Sequence, residues 1–174
     1  MKWSERQIAR ELSTRFFERK HLVMVPNCNW AGHEADILAI TSNLRLIDIE
    51  IKISRSDLKA DAKKDKWWQH PSFVWGQPRP ESEPREHPPK VWKHYYALPS
   101  EIWTKELEQH LPSKSSGVLL LKEGRDGMYM TCYRQAKPAK DAYRLQPAEA
   151  INIARLASLR MWEAYRKLEE KEAA

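Results

Sequence analysis

Residues 33–52 read HEADILAITSNLRLIDIEIK. Two apolar, β-branched runs flank a short polar segment at Ser42 and Asn43, which is typical of two antiparallel strands joined by a turn. Successive side chains of a strand point to opposite faces of a sheet, so the second strand carries isoleucines on one face and charged groups on the other. The sequence therefore predicts a hairpin whose isoleucine face packs into a core. The isoleucines are Ile47, Ile49 and Ile51, and the charged residues are Asp48, Glu50 and Lys52.

The charged residues of this hairpin indicate a metal site. Folding at the turn brings Asp36, near the start of the first strand, close to Glu50, near the end of the second. Two carboxylates supply the hard oxygen ligands that Mg²⁺ prefers, and Lys52 can position or polarise a water or a phosphate. The alternative is a solvated outer face, because antiparallel sheets commonly leave one face in water.

The spacing of these residues resembles a nuclease signature. Asp36, followed 14 positions later by Glu50-Ile51-Lys52, resembles the D…(D/E)xK motif of the PD-(D/E)xK nuclease superfamily. Residues 53–58, which read ISRSDL, resemble together with Asp61 and Lys64 the MmcB-like subgroup of DNA-repair and phage nucleases. The similarity covers roughly residues 1–140 in order, and Ala35 stands where the superfamily motif has proline.

This resemblance implies a fold, an activity and a set of site residues. The fold is α/β (α+β) and restriction-endonuclease-like, with a central mixed β-sheet flanked by helices. The activity is that of a Mg²⁺-dependent (or Mn²⁺-dependent) deoxyribonuclease that hydrolyses DNA phosphodiester bonds in DNA repair, recombination or phage DNA metabolism. Asp36, Glu50 and the backbone carbonyl of Ile51 would hold the ion. Lys52 would complete the catalytic set by orienting the attacking water and stabilising transition-state charge. Further residues expected beside this centre are Glu11, His33, Ser54, Asp57 and Lys64.

The composition is that of one globular domain over residues 1–174, with 41% hydrophobic and 31% charged residues. We expect a cytoplasmic protein without a membrane partner, because the sequence shows no apolar leader or long apolar run. Cys28 and Cys132 are too few for a disulfide framework, and Cys28 and His33 lack the second ligand pair that a zinc site requires. A net charge of +6 and a pI near 9.3 are consistent with a polyanionic partner such as DNA.

The rest of the chain predicts elements that flank the hairpin. Ser4 begins a capping box for a helix over residues 4–20, and Ser54 caps a helix over residues 55–68. In that second helix Arg55, Lys59 and Lys63 recur every fourth residue. This basic row would bind the phosphate backbone of DNA, unless it is an ordinary solvated face. The other predicted elements are strands at 21–26, 91–98, 118–122 and 128–134 and helices at 101–110 and 147–171.

A proline- and tryptophan-rich insertion occupies residues 67–92. Proline lacks the backbone donor that regular elements need, so we expect a long loop or flap. Its tryptophans would either stack on unpaired bases or anchor the loop to the body of the protein.

Two other functions fit the same sequence. The first is a non-catalytic nucleic-acid-binding module on the same fold, since fold does not fix function. The second is a partner-binding protein whose last helix forms an interface. The sequence leaves the oligomeric state open.

Overall fold

The structure is a computed structural model that describes residues 3–17, 20–72, 75–76, 81–125 and 127–173. The α-helices are α1 (Glu5–Glu11), α2 (Arg55–Ala60) and α3 (Pro147–Glu172). A π-helical turn (Leu12–Phe16) continues α1, and 3₁₀ turns lie at Asp61–Lys63, Asp65–Trp67 and Lys105–His110. The strands are β1 (Val23–Cys28), β2 (Ala35–Ile40), β3 (Leu46–Ile51), β4 (Trp68–Gln69), β5 (Glu83–Pro84), β6 (Val91–Pro99), β7 (Gly117–Gly124) and β8 (Gly127–Arg134).

Six strands form the central sheet, in the order β1-β2-β3-β6-β7-β8. The β3–β6 and β6–β7 pairs are parallel, and the other neighbours are antiparallel. Helices and turns cover the sheet, so the protein has a mixed α/β fold, and the prediction of a central mixed sheet is confirmed. The short strands β4 and β5 form a separate two-stranded ladder that the sequence did not predict.

The predicted hairpin consists of β2 and β3, paired so that Ile37 lies opposite Ile49. Its isoleucine face packs against Ile8 and Leu12 of the first helix, as predicted. Every residue of β3 is buried, the charged ones included. The solvated-face alternative is therefore wrong, because α2 and the turns after it cover that second face.

The predicted helices at the N-terminal half are shorter in the structure. Ser4 caps α1 as expected, with its Oγ accepting a hydrogen bond from the Gln7 N–H at 3.2 Å. The α-helix gives way to the π-helical turn after Glu11, where the Phe17 N–H donates to the Leu12 carbonyl and the Thr14 hydroxyl donates to the Arg10 carbonyl. The predicted end of this helix at residues 18–19 lies outside the described residues.

Two further helix predictions were wrong in type or length. The predicted helix over residues 55–68 ends as an α-helix at Ala60 and continues as two 3₁₀ turns. The predicted helix at residues 101–110 is a 3₁₀ turn, with hydrogen bonds such as that from the Leu107 N–H to the Thr104 carbonyl. Both segments place side chains inward: Leu58, Asp61, Lys66 and Trp67 from the first, and Leu107 from the second.

The last helix agrees with its prediction. Pro147 lies in the first turn, and Gln146 and Glu149 form a capping box. Ile153 packs with Leu38 and Leu145 in the core on the α3 side of the sheet. Within the described residues, no helix is long and apolar enough to cross a membrane.

Candidate functional site

A cluster of buried charges occupies the face of β3 that α2 and its 3₁₀ turns cover. Asp48, Glu50 and Lys52 from β3 and its end are each at most 2% exposed, and Asp61 and Lys66 are buried with them. A buried charge is stable only when other charges and hydrogen bonds compensate it. We call this group the ion cluster; its members are Asp48, Glu50, Lys52, Asp61, Lys64 and Lys66.

Glu50 lies in the middle of the ion cluster. Its Oε2 is 3.2 Å from Lys52 Nζ and 2.9 Å from Lys64 Nζ, and its Oε1 contacts Lys66 Nζ. Burial opposes ionisation of this carboxyl, but the positive charges of Lys66 and Lys52 outweigh it and hold the pKa of Glu50 below its ordinary value. Glu50 is therefore ionised at neutral pH.

Asp61 ties the ion cluster to the sheet. Its Oδ2 accepts hydrogen bonds from the Tyr96 hydroxyl at 2.6 Å and the Trp67 indole at 3.0 Å. Its Oδ1 is 2.9 Å from Lys52 Nζ. Burial would raise the pKa of Asp61, but Lys66 and Lys52 lower it well below its ordinary value. These inward contacts give the physical reason for the early end of α2, since Asp61 cannot both face solvent on a helix and reach Tyr96.

Lys52 is enclosed, whereas Lys64 reaches the surface. The Lys52 ammonium lies between Glu50 and Asp61, with Asp57 Oδ1 3.6 Å away. Burial lowers the pKa of Lys52, but Asp61 and Glu50 raise it above its ordinary value, so the group stays charged. The side chain of Lys64 is 46% exposed although its ammonium contacts both Glu50 and Asp61. Lys64 is thus the member of the ion cluster that solvent and a bound molecule can reach.

Asp48 connects the ion cluster to two histidines. His33 Nε2 donates a hydrogen bond to Asp48 Oδ2 at 2.9 Å, and Lys66 Nζ is 3.3 Å from the same oxygen. His94 Nε2 lies 3.9 Å from it. Burial lowers the pKa of His94 to about 4, so this imidazole is neutral at physiological pH. Asp48 Oδ1 is buried and has no hydrogen-bond partner among the described residues.

Asp36 lies at the start of β2, where its Oδ2 accepts a hydrogen bond from the Ile51 N–H at 2.6 Å. Burial, and after it the negative charge of Glu50, raise the pKa of Asp36 to about 6. The hairpin therefore brings Asp36 within the electrostatic reach of Glu50. Of the carboxyls in this region, Asp36 is the one whose negative charge is least compensated by neighbouring positive charges.

Asp36 lines a cavity of about 550 Å³ between α1, β1 and the ends of β2 and β3. Ile51 and Asp36 line it, as do Arg6 and Arg10, which lie one helical turn apart on α1; Arg10 also pairs with Glu11 at 2.9 Å. We call this cavity the Asp36 cleft. It combines the carboxyls of Asp36 and Glu5 with two guanidinium groups, which are the protein groups best suited to bind a phosphate bidentately.

The donors around Asp36 fit a hydrated magnesium ion. Asp36, Glu50 and the Ile51 carbonyl offer oxygen ligands only, and Mg²⁺ is usually held by one or two carboxylates together with waters and substrate phosphates. Burial, and after it the negative charge of Glu50, raises the pKa of Asp36, and a bound cation would favour the ionised form of this carboxyl. Within the described ranges, no group of three or more Asp, Glu, His or Cys side chains is arranged as a metal site. A magnesium ion here would therefore have two carboxylate ligands, Asp36 and Glu50. To admit the ion, Lys64 would move away from Glu50.

The other residues predicted beside the centre divide into two groups. His33 and Lys64 contact the ion cluster directly, and Asp57 lies at its edge beside Lys52. Ser54 instead caps α2 through its Oγ, which accepts a hydrogen bond from the Asp57 N–H at 3.1 Å. Glu11 faces away from Asp36, where it pairs with Arg10 at 2.9 Å and lines a different cavity.

The predicted nucleic-acid-binding residues lie on the outer side of the covering segment. Arg55, Lys59 and Lys63 are exposed, but Lys63 belongs to a 3₁₀ turn and not to α2. Arg55 donates a hydrogen bond to the Ile102 carbonyl at 2.9 Å.

The tryptophans of the insertion differ in how far they are buried. Trp67 is buried and anchors the covering segment, whereas Trp75 is 91% exposed. Trp67 thus has the predicted anchoring role, and stacking of the insertion's tryptophans on unpaired bases stays a prediction. Residues 73–74 and 77–80 of the insertion lie outside the described residues.

Sequence reasoning missed several groups of the site. His94 meets Asp48 because β3 and β6 pair in parallel with these two residues opposite each other, and Lys66 reaches Asp48 from the 3₁₀ turn Asp65–Trp67 that covers the sheet. No local sequence pattern indicates these contacts. Arg6 and Arg10 had a readable signal, since their spacing of four on a helix places both on one face.

These observations define a mixed α/β protein with a six-stranded mixed sheet and a charged site at one end of its central hairpin. No protein-family profile and no curated protein sequence matches the chain. Among solved structures, its fold is similar to that of the SPO1766 protein of unknown function from Silicibacter pomeroyi, with a TM-score of 0.56 and 18% sequence identity. The similarity covers 100% of this chain and 97% of that chain, and at this identity it shows the fold alone.

Proposed function

We propose that the protein is a Mg²⁺-dependent (or Mn²⁺-dependent) deoxyribonuclease with a restriction-endonuclease-like fold. The observation that carries this proposal is the composition of the Asp36 cleft. Asp36, Ile51, Arg6 and Arg10 line it together. Cleavage of a phosphodiester needs both kinds of group, since the arginines would bind its charge and the carboxyl would hold the metal ion beside the reacting phosphate.

Asp36, Glu50 and the carbonyl of Ile51 would hold the ion. When bound, Mg²⁺ neutralises phosphate charge and supplies a polarised water. Lys52 and Asp61 contribute orientation, because the Lys52 ammonium is locked between Glu50 and Asp61 and so fixes the carboxylate of Glu50. This role differs from the water-orienting role that the sequence suggests for Lys52.

The chain's other basic groups would bind the substrate. Lys64 is partly exposed and, once released from Glu50, can donate to a phosphate oxygen. Arg55, Lys59 and Lys63 lie on the exposed side of the same segment and would contact neighbouring phosphates, which position DNA without reading its sequence. The superfamily resemblance places such an enzyme in DNA repair, recombination or phage DNA metabolism.

One observation favours a second candidate, a non-catalytic nucleic-acid-binding module. The ion cluster balances three carboxylates, Asp48, Glu50 and Asp61, against three lysines, Lys52, Lys64 and Lys66. A balanced cluster is stable without any ion. This candidate predicts DNA binding that weakens with salt but is indifferent to Mg²⁺.

The test is a cleavage assay on linear, circular, single-stranded and branched DNA with Mg²⁺, Mn²⁺ or EDTA. The variant is Asp36→Asn, which keeps a hydrogen-bond acceptor for Ile51 but removes the charge. Its matched control is Asp141→Asn, which changes an exposed carboxylate remote from the cleft. We expect metal-dependent cutting by the wild type and the control, and a loss of at least about 100-fold in rate for Asp36→Asn.

The outcomes separate the two candidates. Cleavage that persists in EDTA, or that Asp36→Asn retains, contradicts the metal-dependent assignment. Salt-dependent DNA binding without cutting under any condition, unchanged by Mg²⁺, favours the non-catalytic module.

A further inference from the structure

The most unusual surface of the protein is the outer face of α3. Its N-terminal half packs on the sheet through Ile153, Ala150 and Ala157. On the opposite side, Ile151 is 69% exposed, Leu159 51%, Trp162 63% and Tyr165 53%. Exposed apolar residues are normal singly, but a contiguous patch of this kind marks an interaction surface.

The charges of α3 argue against a polyanionic or membrane partner for this face. Residues 161–172 contain four glutamates and three basic residues, so the segment carries almost no net charge. Two of the basic groups are already paired along the helix, Arg166 with Glu170 at 2.6 Å and Lys167 with Glu163 at 2.8 Å. DNA and anionic lipid surfaces attract helices with unpaired basic rows. The face therefore suits another protein surface.

The order of residues along this face is self-complementary. Arg155 precedes Trp162 by seven residues and Glu169 follows it by seven, so all three lie on one side of the helix. In two antiparallel copies centred on Trp162, Arg155 of each copy lies opposite Glu169 of the other. Leu159 then lies opposite Tyr165. Within the described part of the chain, neither Arg155 nor Glu169 forms an ion pair.

The shape of the surface agrees with this pairing. The rings of Trp162 and Tyr165 are 6.0 Å apart, and with Arg166 and Glu169 they border an open hollow of about 580 Å³. Such a hollow accepts the large side chains that a facing helix presents, as in knobs-into-holes packing. Symmetric interfaces of this kind are isologous, with the same patch used on both subunits.

We propose that the outer face of α3 is a homodimer interface in which two copies of this helix pair antiparallel about Trp162. The occupant is a second copy of this chain, because charge and apolar order match when the helix meets its own reverse. This inference is independent of the proposed nuclease function, since none of its residues lines the Asp36 cleft.

The test is sedimentation equilibrium from about 1 to about 200 µM, the range expected for one helix pair. The variants are Arg155→Glu, Glu169→Arg and the double exchange of both. The control is Lys114→Glu, an equal charge reversal at an exposed site away from α3. Circular dichroism checks that each variant is folded.

We expect a wild-type dimer that each single reversal weakens at least about tenfold, because two attractive pairs become two repulsive ones. The double exchange restores the dimer to within about threefold of the wild type, since the pairs re-form with inverted charge. The control leaves it unchanged, and Trp162→Ala abolishes it. A wild-type monomer throughout the range, or a dimer that the single reversals and Trp162→Ala leave intact, overturns the proposal.

Discussion

Replacing Asp36 by asparagine should stabilise the protein at neutral and alkaline pH. The pKa of Asp36 is raised from 3.8 to about 6, so its ionisation opposes folding. That difference corresponds to roughly 3 kcal/mol if the carboxyl were fully enclosed, and to about 1–2 kcal/mol after solvent screening in the open cleft. Asparagine removes the charge and still offers the Ile51 N–H an acceptor.

The sign of the pH dependence follows from the direction of the shift. Because the folded state holds the Asp36 proton more tightly than the unfolded state, the wild type loses stability as pH rises from about 4 to about 6. Above about pH 6 this loss of stability is complete. We therefore expect Asp36→Asn to match the wild type near pH 4 and to exceed it by about 1–2 kcal/mol near pH 8.

Urea unfolding followed by tryptophan fluorescence measures this difference. Adding Mg²⁺ near pH 8 supplies a second readout, since an ion that binds only the folded state stabilises it by mass action. We expect the gain in the wild type and none in the variant. A variant that is less stable than the wild type near pH 8, or equally shifted at both pH values, would refute the reasoning.

Two further predictions concern the ion cluster. Glu50→Gln should lower the free energy of unfolding by about 3–5 kcal/mol, because it leaves buried lysines without their main partner; a loss below 1 kcal/mol would be inconsistent with the burial of these charges. Trp67→Phe should cost about 1–3 kcal/mol, because Asp61 loses the indole donor and a cavity remains. Thermal and urea unfolding measure both, and for Trp67→Phe a neutral result would show that the indole hydrogen bond adds nothing.

The elements that the sequence predicted well are those whose pattern is local. The hairpin of β2 and β3 shows in the alternation around Ile47 and Ile49, and α3 shows in its proline start and its long periodic run. In β3 the same residues that determine the element also determine its buried face, so local pattern and tertiary packing agree there. In α3 the pattern determines the element alone, because Ile153 is buried whereas Ile151 and Trp162 of the same run are exposed.

The prediction of one helix over residues 55–68 was wrong because a tertiary contact outweighs local helix propensity. Asp61 accepts hydrogen bonds from Tyr96 and Trp67 and pairs with Lys52, and these contacts hold the chain in 3₁₀ turns. In the sequence Asp61 looks like one more charge in a row on a helix. Nothing near it in the chain indicates that Tyr96 would lie within reach.

The candidate site was predictable in part. Asp36, Glu50 and Lys52 follow from a motif, because their spacing is fixed by one hairpin. The position of His94 depends on the parallel pairing of β3 with β6, and that of Lys66 depends on how the 3₁₀ turn Asp65–Trp67 packs on the sheet. The sequence also did not show how deeply the charged face of β3 is buried, because a solvated face and a buried face have the same alternating pattern.

The measurement that tests the central claim most directly is a Mn²⁺ titration by electron paramagnetic resonance near pH 7.5, on the wild type, Asp36→Asn and Asp141→Asn. It asks whether Asp36 and Glu50 share a divalent cation at the cleft, without requiring the correct DNA substrate. We expect one Mn²⁺ site in the wild type and in the control, and at least about tenfold weaker binding in Asp36→Asn. No bound Mn²⁺ in the wild type, or equal binding in Asp36→Asn, would contradict the account.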